Sequence, residues 1–187
     1  MAVSSSSPAV AARCAHAKAG VGVVASQNIT DPRLGPKTLL AMAEGHSAPE
    51  AVKMIINAAE NADFRQVLAV DATGNTAIYS GSKSLDIHAD FASQNAAAAG
   101  NLLANSNIPK AMVTAFHQGA GHLGDRLIDA MRVALALGGE VGALHSAGLL
   151  LVGEQDWPMA DLRCDWTEDC PIEAVAAAWH IYKPQMD

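Results

Sequence analysis

Hydrophobic residues follow two periods along this chain, and each period predicts a type of element. Residues 20–28 (GVGVVASQN) and 146–152 (SAGLLLV) are apolar at successive positions, which is typical of strands covered on both faces. Residues 66–70 and 76–80 are short β-like runs joined by a loop with glycine, which predicts a hairpin. Residues 161–166 alternate charged and apolar side chains, the pattern of a half-exposed strand.

Helical periodicity appears in blocks. Ser47 and Glu50 have the spacing of a capping box and predict a helix with Val52, Ile55, Ile56 and Ala59 on one face, preceded by a helix near 35–45. Further helices are predicted over 109–117, 123–137 and 171–182. The surest is 123–137, where glycines end the helix and one stripe is apolar: Leu123, Leu127, Ala130, Met131, Ala134 and Leu135.

The remaining segments are less distinctive. Residues 2–7 are predicted to be extended, and 8–19 to form a connection or a short helix. Extended segments are expected between 85 and 103, although 96–99 is equally compatible with a helix. Because the helices come in blocks rather than alternating with strands, we predict a single α+β domain of two stacked sheets with helices outside.

Composition narrows the function classes. The chain has 187 residues, a formal net charge of −7 and no Lys/Arg cluster, which argues against nucleic acid as a partner. No apolar run approaches the roughly 20 residues of a membrane-spanning helix. The three cysteines, Cys14, Cys164 and Cys170, have no CxxC spacing, which fits a reducing, cytoplasmic location. We expect no cofactor, since no glycine-rich loop opens a helix after a strand.

Candidate chemistry is sparse. Ser26, Gln27 and Asn28 end a buried strand, where they either point into a cleft as hydrogen-bond donors or cap the strand end and the following Asp31-Pro32 turn. His145 precedes a strand and is a base only if that end faces a cleft. The spacing of cysteines and histidines matches no common zinc site, so no metal is expected.

Two further polar runs have ordinary interpretations. The hydroxyls of residues 4–7 are interpreted as backbone-binding groups of an edge or loop. Asp161, Arg163 and Asp165 share one strand face and are interpreted as a solvated ladder that protects an edge strand, in preference to a site.

A family resemblance rests on motifs in a fixed order across nearly the whole chain. These are AGVGVVASQNITDPRLGPKTLLAMAEGHSAPEA, RQVLAVDATGNTA, GNLLA, GDRLIDAMRVALALGGE, HSAGLLLV and DLRCDW. Together they resemble the DUF1028 family, which is similar to Ntn-hydrolases. The resemblance implies a four-layer αββα sandwich, and a mechanism in which an N-terminal Thr, Ser or Cys attacks an amide with its own α-amine as base.

The same resemblance implies a set of site residues, and it shows where this chain differs from the family pattern. Ser26, Gln27, Asn28, Arg65 and Asn101 are expected to line the substrate pocket. Arg65 would offer a bidentate fork to a carboxylate, although a surface ion pair is equally compatible. Family members have a strand before the AVSSSS segment, so we expect a chain shortened at its N-terminus and slightly at its C-terminus, with the nucleophile upstream of Met1.

Two functions follow as hypotheses. The first is an Ntn-type amidohydrolase acting on a small amide or peptide-like metabolite. The second is a non-catalytic ligand-binding or oligomeric module on the same fold. A homo-oligomer is expected in either case, through the helix layer.

Overall fold

The structure is a computed structural model that describes residues 1–186, and it has a mixed α+β fold. The strands are β1 (Ala2–Ser5), β2 (Ala15–Lys18), β3 (Gly22–Gln27), β4 (Gln66–Asp71), β5 (Thr76–Ser80), β6 (Ala89–Ser93), β7 (Ala96–Gly100), β8 (Ser146–Leu151) and β9 (Ala160–Cys164). The helices are α1 (Val10–Cys14), α2 (Leu34–Ala43), α3 (Ala48–Asn57), α4 (Ile108–Gln118), α5 (Leu123–Ala136) and α6 (Pro171–Tyr182).

All described strand pairs are antiparallel, and they form three sheets. The first has the order β1-β8-β9, the second β2-β3-β4-β5, and β6 and β7 form a separate hairpin. Five of the six strand pairs join strands that are consecutive in the chain. The exception is β1, which pairs with β8 from the far end of the chain.

Each of the larger sheets buries one face under a pair of helices. Helices α2 and α3 pack on β3 and β4, where Val24 and Val67 are fully buried. Helices α5 and α6 pack on β8 through Leu149, Ile172 and Trp179. The β6–β7 hairpin lies under α4. Among residues 1–186, no helix combines the length and the apolar character that crossing a membrane requires.

The predicted elements correspond to observed ones, with local differences. The capping box of Ser47 and Glu50 is present, with Ser47 N donating to Glu50 Oε2 at 2.9 Å. The segment 8–19 contains α1 and also β2, a strand that the sequence pattern did not predict. Residues 96–99 are in a strand, so the helical alternative for them is wrong. Trp166 lies beyond the end of β9.

Candidate functional site

A cavity of about 650 Å³ lies between the two larger sheets. One wall is the face of β3 and β4 opposite to α2 and α3, with Val23, Ala25, Leu68 and Val70. The other walls are β1, β7 and the adjoining helices α4 and α5. Most of the lining side chains are apolar, and a volume of this size is in the range of small-molecule sites.

The free edge of β1 borders this cavity. Met1 exchanges two backbone hydrogen bonds with Leu150 of β8, at 2.7 and 2.9 Å. Since facing residues in an antiparallel pair alternate between bonded and non-bonded, the N–H and C=O groups of Ala2 and Ser4 point away from β8. No other strand of residues 1–186 pairs with that edge. The cavity therefore offers unpaired backbone donors and acceptors as well as apolar surface.

The apolar stripe of α5 forms the opposite side of the same space. All six residues of the stripe line the cavity: Leu123, Leu127, Ala130, Met131, Ala134 and Leu135. Leu123 and Leu135 are 42 % and 40 % exposed, although both belong to the face that the sequence pattern assigns to the core. The stripe is thus only partly covered by the rest of the described chain.

A chain of hydrogen-bonded side chains, two amides and one hydroxyl, lies at one end of the cavity. Gln27 Nε2 donates to Gln66 Oε1 at 2.6 Å and to the Ala99 carbonyl at 3.2 Å. Gln66 is fully buried, and its Nε2 donates to Ser80 Oγ at 2.9 Å and to a backbone carbonyl of β7. Both Nε2 donors are occupied, which fixes the Gln27 side chain while its Oε1 stays available to accept a hydrogen bond at the cavity wall.

The corner after β3 is held in a strained conformation. Asn28 and Ile29 have φ values of 58° and 47°, and a β-branched residue such as Ile29 rarely adopts this region. The Asn28 side chain stabilises the corner, because its Nδ2 donates to the Phe64 carbonyl at 2.6 Å and its Oδ1 accepts from Leu85 N at 3.0 Å. The amide of Asn28 is therefore committed to the backbone.

Strand alternation separates the predicted site residues. Successive side chains of a strand point to opposite faces, so Ser26 and Gln27 cannot both face the cavity. Ser26 lies on the side of α2, fully buried, and its Oγ donates to the Asp31 carbonyl at 2.9 Å. Gln27, Asn28 and Asn101 line the cavity.

Arg65 also lies outside the cavity lining, and its charge acts on Asp31. Two hydrogen bonds from the Arg33 guanidinium, at 2.9 and 2.8 Å, and the nearby charge of Arg65 lower the pKa of Asp31 to about 2. Arg65 Nε is buried without a hydrogen-bond partner among the described residues. This placement supports an electrostatic role for Arg65 at the turn after β3.

The other sequence candidates have hydrogen-bond partners within the described residues. His145 Nδ1 lies 2.8 Å from the Thr167 carbonyl, and its ring stacks on Trp166 with centroids 4.1 Å apart. Ser6 Oγ donates to Glu140 Oε1 at 2.5 Å. Ser5 Oγ accepts from Ser7 N at 3.1 Å, as expected for hydroxyls that bind backbone.

Cys14 is the cysteine that lines the cavity. Burial raises the pKa of its thiol and outweighs the opposing hydrogen bond with Thr30 and charge of Arg13, so the thiol is neutral near pH 7. A neutral, buried thiol is a poor nucleophile. Cys14 therefore serves as an apolar wall residue.

Sequence reasoning missed Gln66 and Glu140 as site residues. Gln66 faces Gln27 across the β3–β4 pair, and both lie on the cavity side of the sheet. Alternation along β4 places Gln66 on the same face as Leu68 and Val70, which line the cavity. Glu140 follows α5 and binds the Ser6 backbone N–H at 3.1 Å, a contact over 134 residues that no local pattern signals.

Comparison with known proteins gives a family and a structure. The family described as "Family of unknown function (DUF1028)" matches residues 1–175. The crystal structure of protein SPO2555 from Silicibacter pomeroyi, titled as a DUF1028 protein, is similar with a TM-score of 0.88 and 27 % sequence identity. The match covers 96 % of this chain and 78 % of that one. No curated protein matches the chain.

Proposed function

The chain belongs to the DUF1028 family, and from the cavity beside β1 we propose that it binds an extended, peptide-like amide ligand between its two sheets. The observation that carries this proposal is the edge of β1, which no strand among residues 1–186 pairs with, in an otherwise apolar cavity of about 650 Å³. The strand expected upstream of Met1 is the competing occupant of this edge. A peptide in extended conformation satisfies such an edge with its own N–H and C=O groups, as in β-strand addition.

The walls favour the same ligand. A strand laid beside β1 directs alternate side chains to opposite faces of the sheet. On one face these side chains would meet the apolar stripe of α5, and on the other face Val23, Ala25 and Leu68 of the second sheet. Both walls are apolar, so we expect a ligand with small or medium apolar side chains on both faces, and with its polarity confined to the backbone.

The amide groups at the cavity ends suit the same chemistry. The free Gln27 Oε1 accepts from an amide N–H, and the Asn101 side chain, which also lines the cavity, offers both a donor and an acceptor. These two side chains can pair with the N–H and C=O groups of a ligand amide, and the charged residues Arg13 and Glu140 also line the cavity.

The fold type and the reaction are part of the proposal. We propose a four-layer αββα sandwich of Ntn-hydrolase type, supported by the helix pair on one face of each larger sheet and the cavity between them. An amidohydrolase of this type adds water across an amide C–N bond and releases a carboxylate and an amine. The alternative is a ligand-binding module without chemistry. The amide bonds of a bound peptide distinguish the two functions, because only an amidohydrolase cleaves them.

The test uses an N-acetylated, C-amidated pentapeptide of alternating valine and alanine. Binding to the folded chain should raise the free energy of unfolding by about 2.7 kcal/mol when the peptide concentration is a hundred times Kd. The melting temperature should rise with it. The matched control is the same peptide with every amide N-methylated, which keeps its apolar side chains but cannot pair with β1.

Three outcomes are informative. Binding of the unmethylated peptide alone supports the strand-addition site, and equal binding of both peptides, or of neither, contradicts it. Mass spectrometry then separates the two functions, provided that the peptide is incubated with the native protein including any residues upstream of Met1, where the nucleophile is expected. Cleavage supports the amidohydrolase, and an intact peptide supports the binding module.

A further inference from the structure

The outer edge of β9 is a second unpaired strand edge, on the opposite side of the same sheet. In β8, Leu150 bonds to β1, so Leu149 directs its backbone groups towards β9 and meets Leu162 there. The N–H and C=O groups of Asp161 and Arg163 therefore point outwards. Neither residue has another backbone partner among the described residues.

The side chains on this edge carry opposite charges at alternate positions. Asp161 and Arg163 are exposed and lie on the face opposite to the Leu162 side chain, which packs towards α6. Antiparallel pairing of two copies about a two-fold axis at Leu162 sets Asp161 of each copy opposite Arg163 of the other. Two-fold axes at Asp161 or Arg163 set like charges opposite each other, which is unfavourable.

Apolar side chains flank the same edge. Trp157 and Met159 precede β9 and are 64 % and 36 % exposed, and Trp166 follows it at 52 %. Ile181, 68 % exposed, lies one residue before Tyr182, whose hydroxyl donates to the Met159 carbonyl at 2.8 Å. In the Leu162-centred arrangement, the residues before β9 in one copy lie beside those after β9 in the other. This brings Trp157 close to Trp166 of the second copy.

We propose that β9 pairs with β9 of a second copy of this chain in a two-fold dimer centred on Leu162. The dimer joins two three-stranded sheets into one continuous sheet of six strands. The pairing covers the β9 edge of both copies at once, because a two-fold dimer uses the same surface of each copy. The α6 helices of the two copies then lie beside each other on one face of the joined sheet. The main contact is the pairing of the β9 strands, not the helix layer.

Charges on an edge strand commonly prevent pairing, and here their signs argue for the opposite role. A protective edge carries charges that cannot be matched by another strand. The Asp161–Arg163 pattern is its own complement in one register and repels in the neighbouring ones. It therefore selects a register, while the flanking tryptophans supply the apolar area.

The test measures the dimer dissociation constant of the full chain by sedimentation velocity. Arg163→Asp turns two attractive pairs into two repulsive ones and should raise the dissociation constant about tenfold or more. The double variant Asp161→Arg/Arg163→Asp exchanges the two charges and should restore dimerisation. Asp165→Asn is the companion variant: it removes the local Arg163–Asp165 bridge of 2.9 Å and so frees Arg163 for Asp161 of the second copy, and dimerisation should be unchanged or stronger.

Amide hydrogen exchange locates the interface. The N–H groups of Asp161 and Arg163 should exchange slowly in the dimer and rapidly in Arg163→Asp, whose circular dichroism spectrum shows whether it is folded. A chain that is monomeric at all accessible concentrations overturns the proposal. So does a dimer whose Asp161 and Arg163 amides exchange rapidly, or one that the charge exchange fails to rescue.

Discussion

The carboxylate of Asp71 organises the turn between β4 and β5 and joins it to a helix. It accepts hydrogen bonds from the backbone N–H groups of Thr73 and Asn75, both at 3.0 Å, and from Ala48 N at 2.9 Å. Ala48 is the first residue of α3, so one side chain joins the hairpin to the N-terminus of that helix. Burial raises the pKa of Asp71, but the hydrogen bonds outweigh burial and lower it to about 2.

This pKa gives a pH-dependent prediction. A carboxyl group whose pKa is lower in the folded state stabilises the protein above its unfolded pKa of 3.8, and this stabilisation is lost as the pH falls towards 2. We expect Asp71→Asn to lower the free energy of unfolding near pH 7 by about 1–2 kcal/mol. The difference between wild type and variant should shrink between pH 4 and pH 2.

Urea denaturation across that pH range measures both quantities. Asp63→Asn is the control, because the Asp63 carboxylate is 55 % exposed and its salt bridge to Lys83 is 3.5 Å long. The wild-type and Asp71→Asn curves would stay parallel through pH 2 if the carboxylate were not the stabilising group.

At the level of single residues, the sequence located the corner after β3 but not the direction of its side chains. Ser26, Gln27 and Asn28 were grouped because they are consecutive and polar, whereas the pleat sends Ser26 to one face and Gln27 to the other. Gln66 became visible as the partner of Gln27 only through strand pairing, since 39 residues separate the two.

At the scale of elements, the contact between α5 and α6 depends on a residue without a side chain. A Cβ at Gly124 would lie 2.5 and 2.6 Å from two atoms of the Trp179 indole, which is rigid and almost fully buried. The same junction is tied by Asp125, which accepts from Trp179 Nε1 at 2.8 Å and from Lys183 Nζ at 2.5 Å. The small residue is thus what allows α6 to approach the N-terminus of α5.

We predict that Gly124→Ala destabilises the protein by about 1–3 kcal/mol, the usual cost of overpacking. Helix propensity alone predicts the opposite sign, since alanine is favoured over glycine by about 0.5–1 kcal/mol in a helix interior, and by less at Gly124, the second residue of α5. Denaturation of Gly124→Ala, Trp179→Leu and the double variant forms the decisive cycle. In the Trp179→Leu background the added methyl group should be neutral or stabilising, and an unchanged cost there would refute the steric explanation.

Helix boundaries were predictable where the sequence carries its own start or stop signals. The capping box at Ser47 and Glu50 and the glycines after α5 are such signals, and the corresponding ends agree within one or two residues. β2 was missed because its four residues, AHAK, have neither a run of β-branched side chains nor a clear alternation; pairing with β3 fixes their conformation. The four alanines 96–99 are equally ambiguous locally, and their pairing with β6 decides for a strand.

For the whole molecule, the sequence predicts two sheets with helices but not the space between them. The α5 stripe signals a buried face, and the structure leaves that face bordering a cavity of about 650 Å³. The long-range pairing of β1 with β8, across more than 140 residues, sets where this cavity lies. No periodicity reports such a contact.

The cavity makes a prediction about added volume. Ala134 lies on the α5 stripe, is half-buried and lines the cavity, so the larger side chain in Ala134→Leu enters empty space rather than packed core. Each buried methylene contributes about 0.8 kcal/mol, and we expect the free energy of unfolding to rise by about 1–2 kcal/mol. Ala136→Leu is the matched control, since Ala136 is exposed on the same helix and does not line the cavity.

The same variant links stability to binding. Because the leucine occupies volume that the bound strand needs, Ala134→Leu should weaken binding of the valine–alanine pentapeptide while Ala136→Leu leaves it unchanged. Urea denaturation and peptide titration on the same samples give both numbers. A stabilised variant with undiminished peptide affinity would place the ligand elsewhere, and a destabilised variant would mean that the α5 face is already closely packed.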